Sequence, residues 1–85
     1  MSFRTQMKIA TLQIKANELK EIGASMAIRC HVLQKQAAEE TDETNKLMFL
    51  AMRQGIMLVI DEIDEKRHAY EAAAEELKRE EDEDE

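Results

Sequence analysis

The segment Asp61–Tyr70 contains a carboxylate and an imidazole at a spacing that could bind a metal ion. Glu65 and His68 are three residues apart, so on a helix they share one face. Di-iron four-helix bundles bind metal through such Glu-x-x-His pairs and add glutamates from facing helices, a part that Glu18 and Glu21 could take. However, the seven-residue repeat of this region directs Glu65 and His68 away from the first half of the chain. We therefore predict no metal site and no cofactor, and a di-metal bundle that uses Glu65 and His68 is the third of three hypotheses about function.

Two other groups of reactive side chains lack the partners that catalysis needs. Glu39–Glu43 has the Glu-Glu-x-x-Glu arrangement that helical nucleotide pyrophosphohydrolases use for magnesium, but no Glu-x-x-Asp occurs in the second apolar repeat, and the one further downstream, Glu81–Asp84, lies in the acidic C-terminal run. Cys30 and His31 are neighbours, and neighbouring side chains on a helix point about 100° apart, so they cannot share a proton. The chain also has no glycine-rich phosphate loop and no zinc-type spacing of cysteine and histidine. We predict that it is not an enzyme.

The composition indicates a small, entirely helical protein. The 85 residues include no proline, two glycines and only two phenylalanines and one tyrosine, whereas helix-favouring alanine, leucine, methionine, glutamate and lysine are abundant. A single cysteine excludes an intrachain disulfide. Because the core of so small a domain contributes only ~3 to 5 kcal/mol, we expect oligomerisation to reinforce it.

Both halves of the chain carry apolar residues at heptad spacing, which predicts two helices that pack along their length. In the first half the repeat consists of Leu12, Leu19, Met26 and Leu33, accompanied by Ile9, Ala16, Gly23, Cys30 and Ala37. In the second half it consists of Phe49, Ile56, Ile63, Tyr70 and Leu77, accompanied by Met52, Val59 and Ala73, with Lys66 as a polar exception. The two repeats do not share a phase, so the helix must break or change phase between them.

The polar segment AAEETDETNK separates the two repeats, and we predict the turn within it, with Thr41 or Asp42 capping the second helix. The predicted fold is all-α: an antiparallel hairpin with helices over about residues 3–38 and 45–77 and a turn over about 39–44. These elements form a single domain over residues 1–77, and a long continuous helix in a parallel coiled coil is the alternative. Two registers of the hairpin remain open, one with Gly23 facing Val59 and one with Gly23 facing Ile63.

Residues 47–60, LMFLAMRQGIMLVI, are apolar on every side of a helix, and such a helix must be buried on all sides. The stretch is too short and too interrupted to cross a bilayer, and one neighbouring helix cannot cover it. Apolar residues left over by the two repeats are Met7, Ile14 and Ile28 in the first half, and Met48, Leu50, Met57, Leu58 and Ile60 in the second. We predict that they form a second apolar face, which a second copy covers in an antiparallel four-helix bundle; a different protein is the alternative occupant. The predicted interface residues are Leu47, Met48, Leu50, Met52, Ile56, Met57, Val59, Ile60 and Ile63.

Charge is divided unevenly along the chain, whose net charge is −7. Residues 1–38 carry a net charge of +4 and residues 39–85 a net charge of −11, which favours packing of one half on the other and argues against direct nucleic-acid binding. The last eleven residues, EELKREEDEDE, include eight acids. We expect residues 78–85 to fray into a solvated acidic tail.

Together these features predict a non-enzymatic protein–protein interaction module, namely a small regulator, adaptor or assembly factor that acts as a helical homodimer and binds another protein. The alternative is an acidic inhibitor of a nucleic-acid-binding protein, of the type found in phages and mobile elements. The N-terminal residues lack the uninterrupted apolar stretch and the cleavage site of a secretory signal. We therefore expect a cytoplasmic protein that makes no membrane contact.

Overall fold

A computed structural model describes residues 2–83, which form two long α-helices joined by a short turn. Helix α1 spans Phe3–Glu39 and helix α2 spans Glu43–Glu83, with no strand in the described part of the chain. The Cα atoms extend over 65 × 14 × 13 Å. The structure therefore confirms the all-α helical hairpin and excludes the continuous helix.

Short polar side chains cap the two helices. At the start of α1, the Ser2 hydroxyl accepts a hydrogen bond from the Thr5 amide at 3.1 Å. In the turn, the Glu40 carboxylate accepts from the amides of Thr41 and Asp42 at 3.1 and 3.0 Å. Asp42 Oδ1 then accepts from the Thr44 amide at 2.8 Å, which satisfies a backbone donor that the first turn of α2 leaves free. Asp42 is thus the N-cap, one of the two residues predicted for this role.

Contacts between the helices fix the antiparallel register. A Cβ added to Gly23 would lie 3.7 Å from Ile63 Cγ2, and the Lys15 Nζ lies 5.7 Å from the centre of the Tyr70 ring. From the first contact to the second, the residue number falls in α1 and rises in α2, as it must when the helices are antiparallel. This is the second of the two predicted registers, and the absence of a side chain at Gly23 lets the helices approach closely at this level.

The repeat predicted for α1 forms the core of the hairpin. The buried residues of α1 are Ile9, Ala16, Gly23, Cys30, Leu33 and Ala37. Most of them are small, and five recur every seven residues. This row packs against α2 along nearly the whole length of α1, as the heptad spacing predicted.

The repeat predicted for α2 is half right. Its first row is confirmed, since Phe49, Ile56, Ile63, Tyr70 and Leu77 are all half-buried. The accompanying row of Met52, Val59, Lys66 and Ala73 is wrong, because all four are exposed. One residue later, Arg53, Ile60 and Arg67 are half-buried and Ala74 is only 2% exposed.

Two arginines in the true row account for that error. An arginine can pack its apolar stem against a neighbouring helix while its guanidinium reaches water. Arg67 does so beside Glu71 and Asp64, whose carboxylate oxygens lie 3.1 and 3.6 Å from its guanidinium nitrogens. A pattern search that counts arginine as polar therefore selects the neighbouring row.

Helix α2 is longer than predicted. We expected fraying after Leu77, but the helix continues to Glu83, and only Asp84 and Glu85 of the predicted tail, together with Met1, lie outside the described residues. Ion pairs one helical turn apart, Glu75 with Lys78 and Glu76 with Arg79, support the added turns. The hydrogen bond from Arg79 to Glu76 also raises the pKa of the arginine above its usual value.

Candidate interaction surfaces

The predicted interface residues of α2 separate into two groups in the structure. Leu50, Ile56, Ile60 and Ile63 are half-buried, and the last three belong to the rows that face α1. The exposed residues, with their exposed fractions, are Leu47 (64%), Met48 (53%), Met52 (52%), Met57 (38%), Leu58 (58%) and Val59 (42%). These six residues are termed the α2 patch, and they include Leu58, which the predicted interface omitted.

Gly55 lies among the residues of the α2 patch, and neither close packing nor backbone conformation requires a glycine at this position. A Cβ added to Gly55 would meet no atom within 4 Å, and the residue has no positive φ angle. Glycine inside a helix costs about 1 kcal/mol relative to alanine. Ala51, one turn earlier, is also small and exposed. Gly55 and Ala51 therefore leave a shallow area among the large side chains of the α2 patch.

A second surface, mostly apolar, runs along α1, and the sequence reasoning identified only part of it. Its eight residues, termed the α1 stripe, recur at alternating intervals of four and three: Phe3, Met7, Ala10, Ile14, Asn17, Glu21, Ala24 and Ile28. All eight are exposed, including Phe3 at 77%, Ile28 at 68%, Ile14 at 59% and Met7 at 53%. Six are apolar, and Asn17 and Glu21 are the two polar members. The same heptad count, started at Phe3, would have found these six apolar positions from the sequence.

The α1 stripe and the α2 patch lie on opposite outer edges of the hairpin. Ile14 is five residues after the buried Ile9, which places it about 140° further round α1 and away from α2. Leu58 is likewise five residues before Ile63, whose side chain faces α1. The exposed leftover apolar residues are thus divided between two edges rather than joined in the single face that we predicted, whereas Leu50 and Ile60 are half-buried. One partner lying against one broad side of the hairpin cannot cover both.

At the open end of the hairpin, the α1 stripe adjoins an apolar groove. Phe3, Met7, Leu12 and Leu77 line this groove, which has a volume of about 610 Å³. Arg4, Lys8 and Thr11 also line it. The concave surface extends the area that a partner of α1 could bury.

The residues considered for metal chemistry are solvated. The His68 side chain is 66% exposed, and its Nδ1 lies 3.6 Å from a carboxylate oxygen of Glu71 rather than beside Glu65. Within residues 2–83, no three histidine, cysteine or acidic side chains are arranged to hold a metal ion. In the Glu39–Glu43 cluster, the carboxylates of Glu40 and Asp42 accept hydrogen bonds from backbone amides of the turn.

Cys30 is buried between the helices and lies apart from its neighbour. Its thiol contacts the Arg53 carbonyl oxygen at 3.8 Å, whereas His31 is exposed. The two side chains therefore occupy different environments, and the thiol serves the packing of the hairpin.

In the described part of the chain, neither helix has a stretch long and apolar enough to cross a membrane. Comparison of the chain with protein-family models, curated proteins and solved structures finds no match. The class of protein is thus defined by the fold alone: a two-helix hairpin that exposes an apolar surface on each outer edge.

Proposed function

We propose that the chain is a non-enzymatic protein–protein interaction module, acting as a homodimer in the manner of a small regulator, adaptor or assembly factor. The α2 patch is the observation that carries this proposal. It concentrates six large, exposed apolar side chains within Leu47–Val59. The hairpin consists of two helices only, so no other part of the described chain covers these side chains. Exposed apolar surface of this kind marks binding sites in soluble proteins.

The composition of the α2 patch suits a helical partner. Met48, Met52 and Met57 have flexible, polarisable side chains that adapt to different apolar contours. Gly55 and Ala51 leave room for the backbone of a second helix to approach. An amphipathic helix of another protein would therefore cover the patch with its apolar face.

Affinity capture from the source cells with matched baits tests this assignment. Leu58→Asp places a carboxylate in the patch, and Gln54→Asp adds the same charge at an adjacent exposed position without removing apolar surface. We expect wild type and Gln54→Asp to retain the same protein, and Leu58→Asp to weaken a titration with that purified protein by more than about tenfold. Equal retention by all three baits would contradict a role for the patch.

A second candidate, the acidic inhibitor of a nucleic-acid-binding protein, is supported by the C-terminal turns of α2. The side chains of Glu71, Glu75, Glu76 and Glu80 are exposed on a continuous helix, which holds their carboxylates at regular spacing.

The salt dependence of binding distinguishes the two candidates, because binding between opposite charges weakens steeply with ionic strength and apolar binding does not. Retention of the captured protein in 0.5 M salt, on the order of a 4 Å Debye length, would favour the α2 patch. Release at that concentration would favour the acidic helix.

A further inference from the structure

We propose that the α1 stripe is the surface on which a second copy of this chain docks, with the two α1 helices antiparallel. The inference rests on the proposed homodimer and assigns its interface to α1, which leaves the α2 patch free for a different protein. Three properties of the stripe favour this occupant: its length, its symmetry and its local charge.

The length of the α1 stripe is that of a coiled-coil contact. From Phe3 to Ile28 it covers nearly four heptads, about 38 Å of helix, and an apolar repeat needs at least about three to four heptads to indicate a coiled coil. The α2 patch extends only from Leu47 to Val59, and acidic residues follow it, beginning with Asp61. A long helix therefore finds a matching surface on α1 and not on α2.

The spacing of the α1 stripe is the same in both chain directions, so the stripe can pair with itself. A twofold axis midway between Ile14 and Asn17 sets Met7 of each copy against Ala24 of the other, a large residue against a small one, as close helix packing requires. Phe3 meets Ile28 at both ends. Both copies use the same surface, so the contact closes at two chains.

The two polar members of the α1 stripe are compatible with this axis. The two Asn17 side chains, one from each chain, lie on either side of the axis and about 4.5 Å apart along the helices. A side-chain amide can both donate and accept hydrogen bonds, so the Asn17 of one chain can pair with the Asn17 of the other. A single asparagine in an apolar seam costs stability but specifies register and the number of chains. Glu21 lies opposite the small Ala10, which leaves room for its carboxylate to reach water at the edge of the contact.

The charges around the α1 stripe are balanced. Two positive charges flank the stripe, at Arg4 and Lys20. They are balanced by two negative charges, one on the flanking Glu18 and one on Glu21 within the stripe. The proposed axis brings Glu18 next to Thr11 and Lys20 next to Gln13 of the other copy, with no like charges opposed. Counted over the whole halves, residues 1–38 have a net charge of +4 and residues 39–85 a net charge of −11, so two α1 helices oppose less like charge than two α2 helices do.

The first test measures the solution mass of two matched variants by light scattering, with circular dichroism to verify helicity. Ile14 and Leu58 have nearly equal exposed fractions, 59% and 58%, one on each edge of the hairpin. We expect Ile14→Asp to raise the dimer dissociation constant at least about 100-fold, because it buries an uncompensated carboxylate, and Leu58→Asp to leave it unchanged.

The other results of that experiment separate the two proposals. A wild-type monomer would overturn both the homodimer and its α1 interface. A dimer that Leu58→Asp dissociates and Ile14→Asp does not would retain the homodimer and overturn the α1 assignment, as would a dimer that neither variant affects. Mass that grows with concentration beyond two chains would also overturn it, since α1 would then contact the α2 patch of the next copy in an open array.

A cysteine experiment tests the register without placing a charge in the proposed interface. In a Cys30→Ala background, Met7→Cys and Ala24→Cys chains are mixed and oxidised. We expect a covalent dimer from the mixture and none from Met7→Cys alone, because the axis separates the two Met7 positions by about 25 Å, far beyond disulfide reach. A dimer from Met7→Cys alone, or none from the mixture, would overturn the register.

Discussion

Gly55 lowers the helix propensity of α2 without relieving any close contact within the hairpin. Its added Cβ would meet nothing, so Gly55→Ala should stabilise the hairpin by up to about 1 kcal/mol, a rise in Tm of roughly 4–8 °C. Ala51→Gly, one turn earlier on the same face, should lower Tm by a similar amount. Thermal unfolding followed by circular dichroism checks both. A lower Tm for Gly55→Ala would contradict the open environment of this glycine.

Asp42 is the second residue whose role can be measured. Its carboxylate accepts hydrogen bonds from the amides of Thr44 and Asn45 at 2.8 and 3.4 Å. Asp42→Ala should therefore cost about 1 kcal/mol in urea unfolding, while Asp42→Asn, which keeps the accepting oxygen, should cost much less. Equal losses for the two variants would contradict a capping role.

At the residue scale, the helix cap at Asp42 could be predicted from the sequence, whereas the solvent exposure around Gly55 could not. Asp42 could be identified because few side chains both accept from a helix N-terminus and occur between two apolar repeats. The open surroundings of Gly55 could not, because they depend on which face of α2 packs against α1. The register could not be predicted either. The two registers consistent with the sequence set different residues against Gly23, and only the contact with Ile63 selects one.

At the scale of the elements, neighbouring residues 59 and 60 test the corrected packing of α2. Ile60 is half-buried and faces α1, whereas Val59 is 42% exposed. Ile60→Asp should cost on the order of 3 kcal/mol, since it removes apolar contact and buries a carboxylate, enough to unfold much of so small a domain. Val59→Asp should change the free energy of unfolding by less than about 1 kcal/mol. Urea denaturation at one protein concentration measures both, and a larger loss for Val59→Asp would restore the row that the sequence first favoured.

The helices themselves follow from the sequence, but the phase of α2 does not. Heptad spacing identified the row Phe49, Ile56, Ile63, Tyr70 and Leu77 because those residues are apolar without exception. The accompanying row contains Arg53 and Arg67, so the burial of their stems became visible only in the structure.

The α1 stripe was predicted only in part, as Met7, Ile14 and Ile28, for a related reason. Its alanines are weak apolar signals, and Asn17 and Glu21 interrupt it in the middle. The spacing that these residues share with Met7 and Ile14 matters only once the opposite face of α1 is occupied by α2. A heptad count can find these positions in the sequence, but only the hairpin contact shows that α2 leaves them uncovered.

At the scale of the whole molecule, each helix has one covered face and one bare face, because the Cα atoms of the hairpin span only 14 × 13 Å in cross-section. Such a hairpin has little core for its length, and two chains that share the α1 stripe would form one molecule with two α2 patches facing outward.

The homodimer should also make stability depend on concentration, because association is linked to folding. We expect the Tm of the wild type to rise with protein concentration and the Tm of Ile14→Asp to remain constant. Differential scanning calorimetry over a 100-fold concentration range measures both, and a wild-type Tm independent of concentration would argue against the linkage.

The decisive measurement is the mass of the wild-type chain by light scattering over a dilution series, with circular dichroism on the same samples. A homodimeric interaction module should give twice the 9.8 kDa of one chain, with high helicity, and hold that mass on dilution to low micromolar concentrations. A mass of 9.8 kDa at every concentration would contradict it, and the exposed apolar surfaces would then have to be covered by other proteins alone.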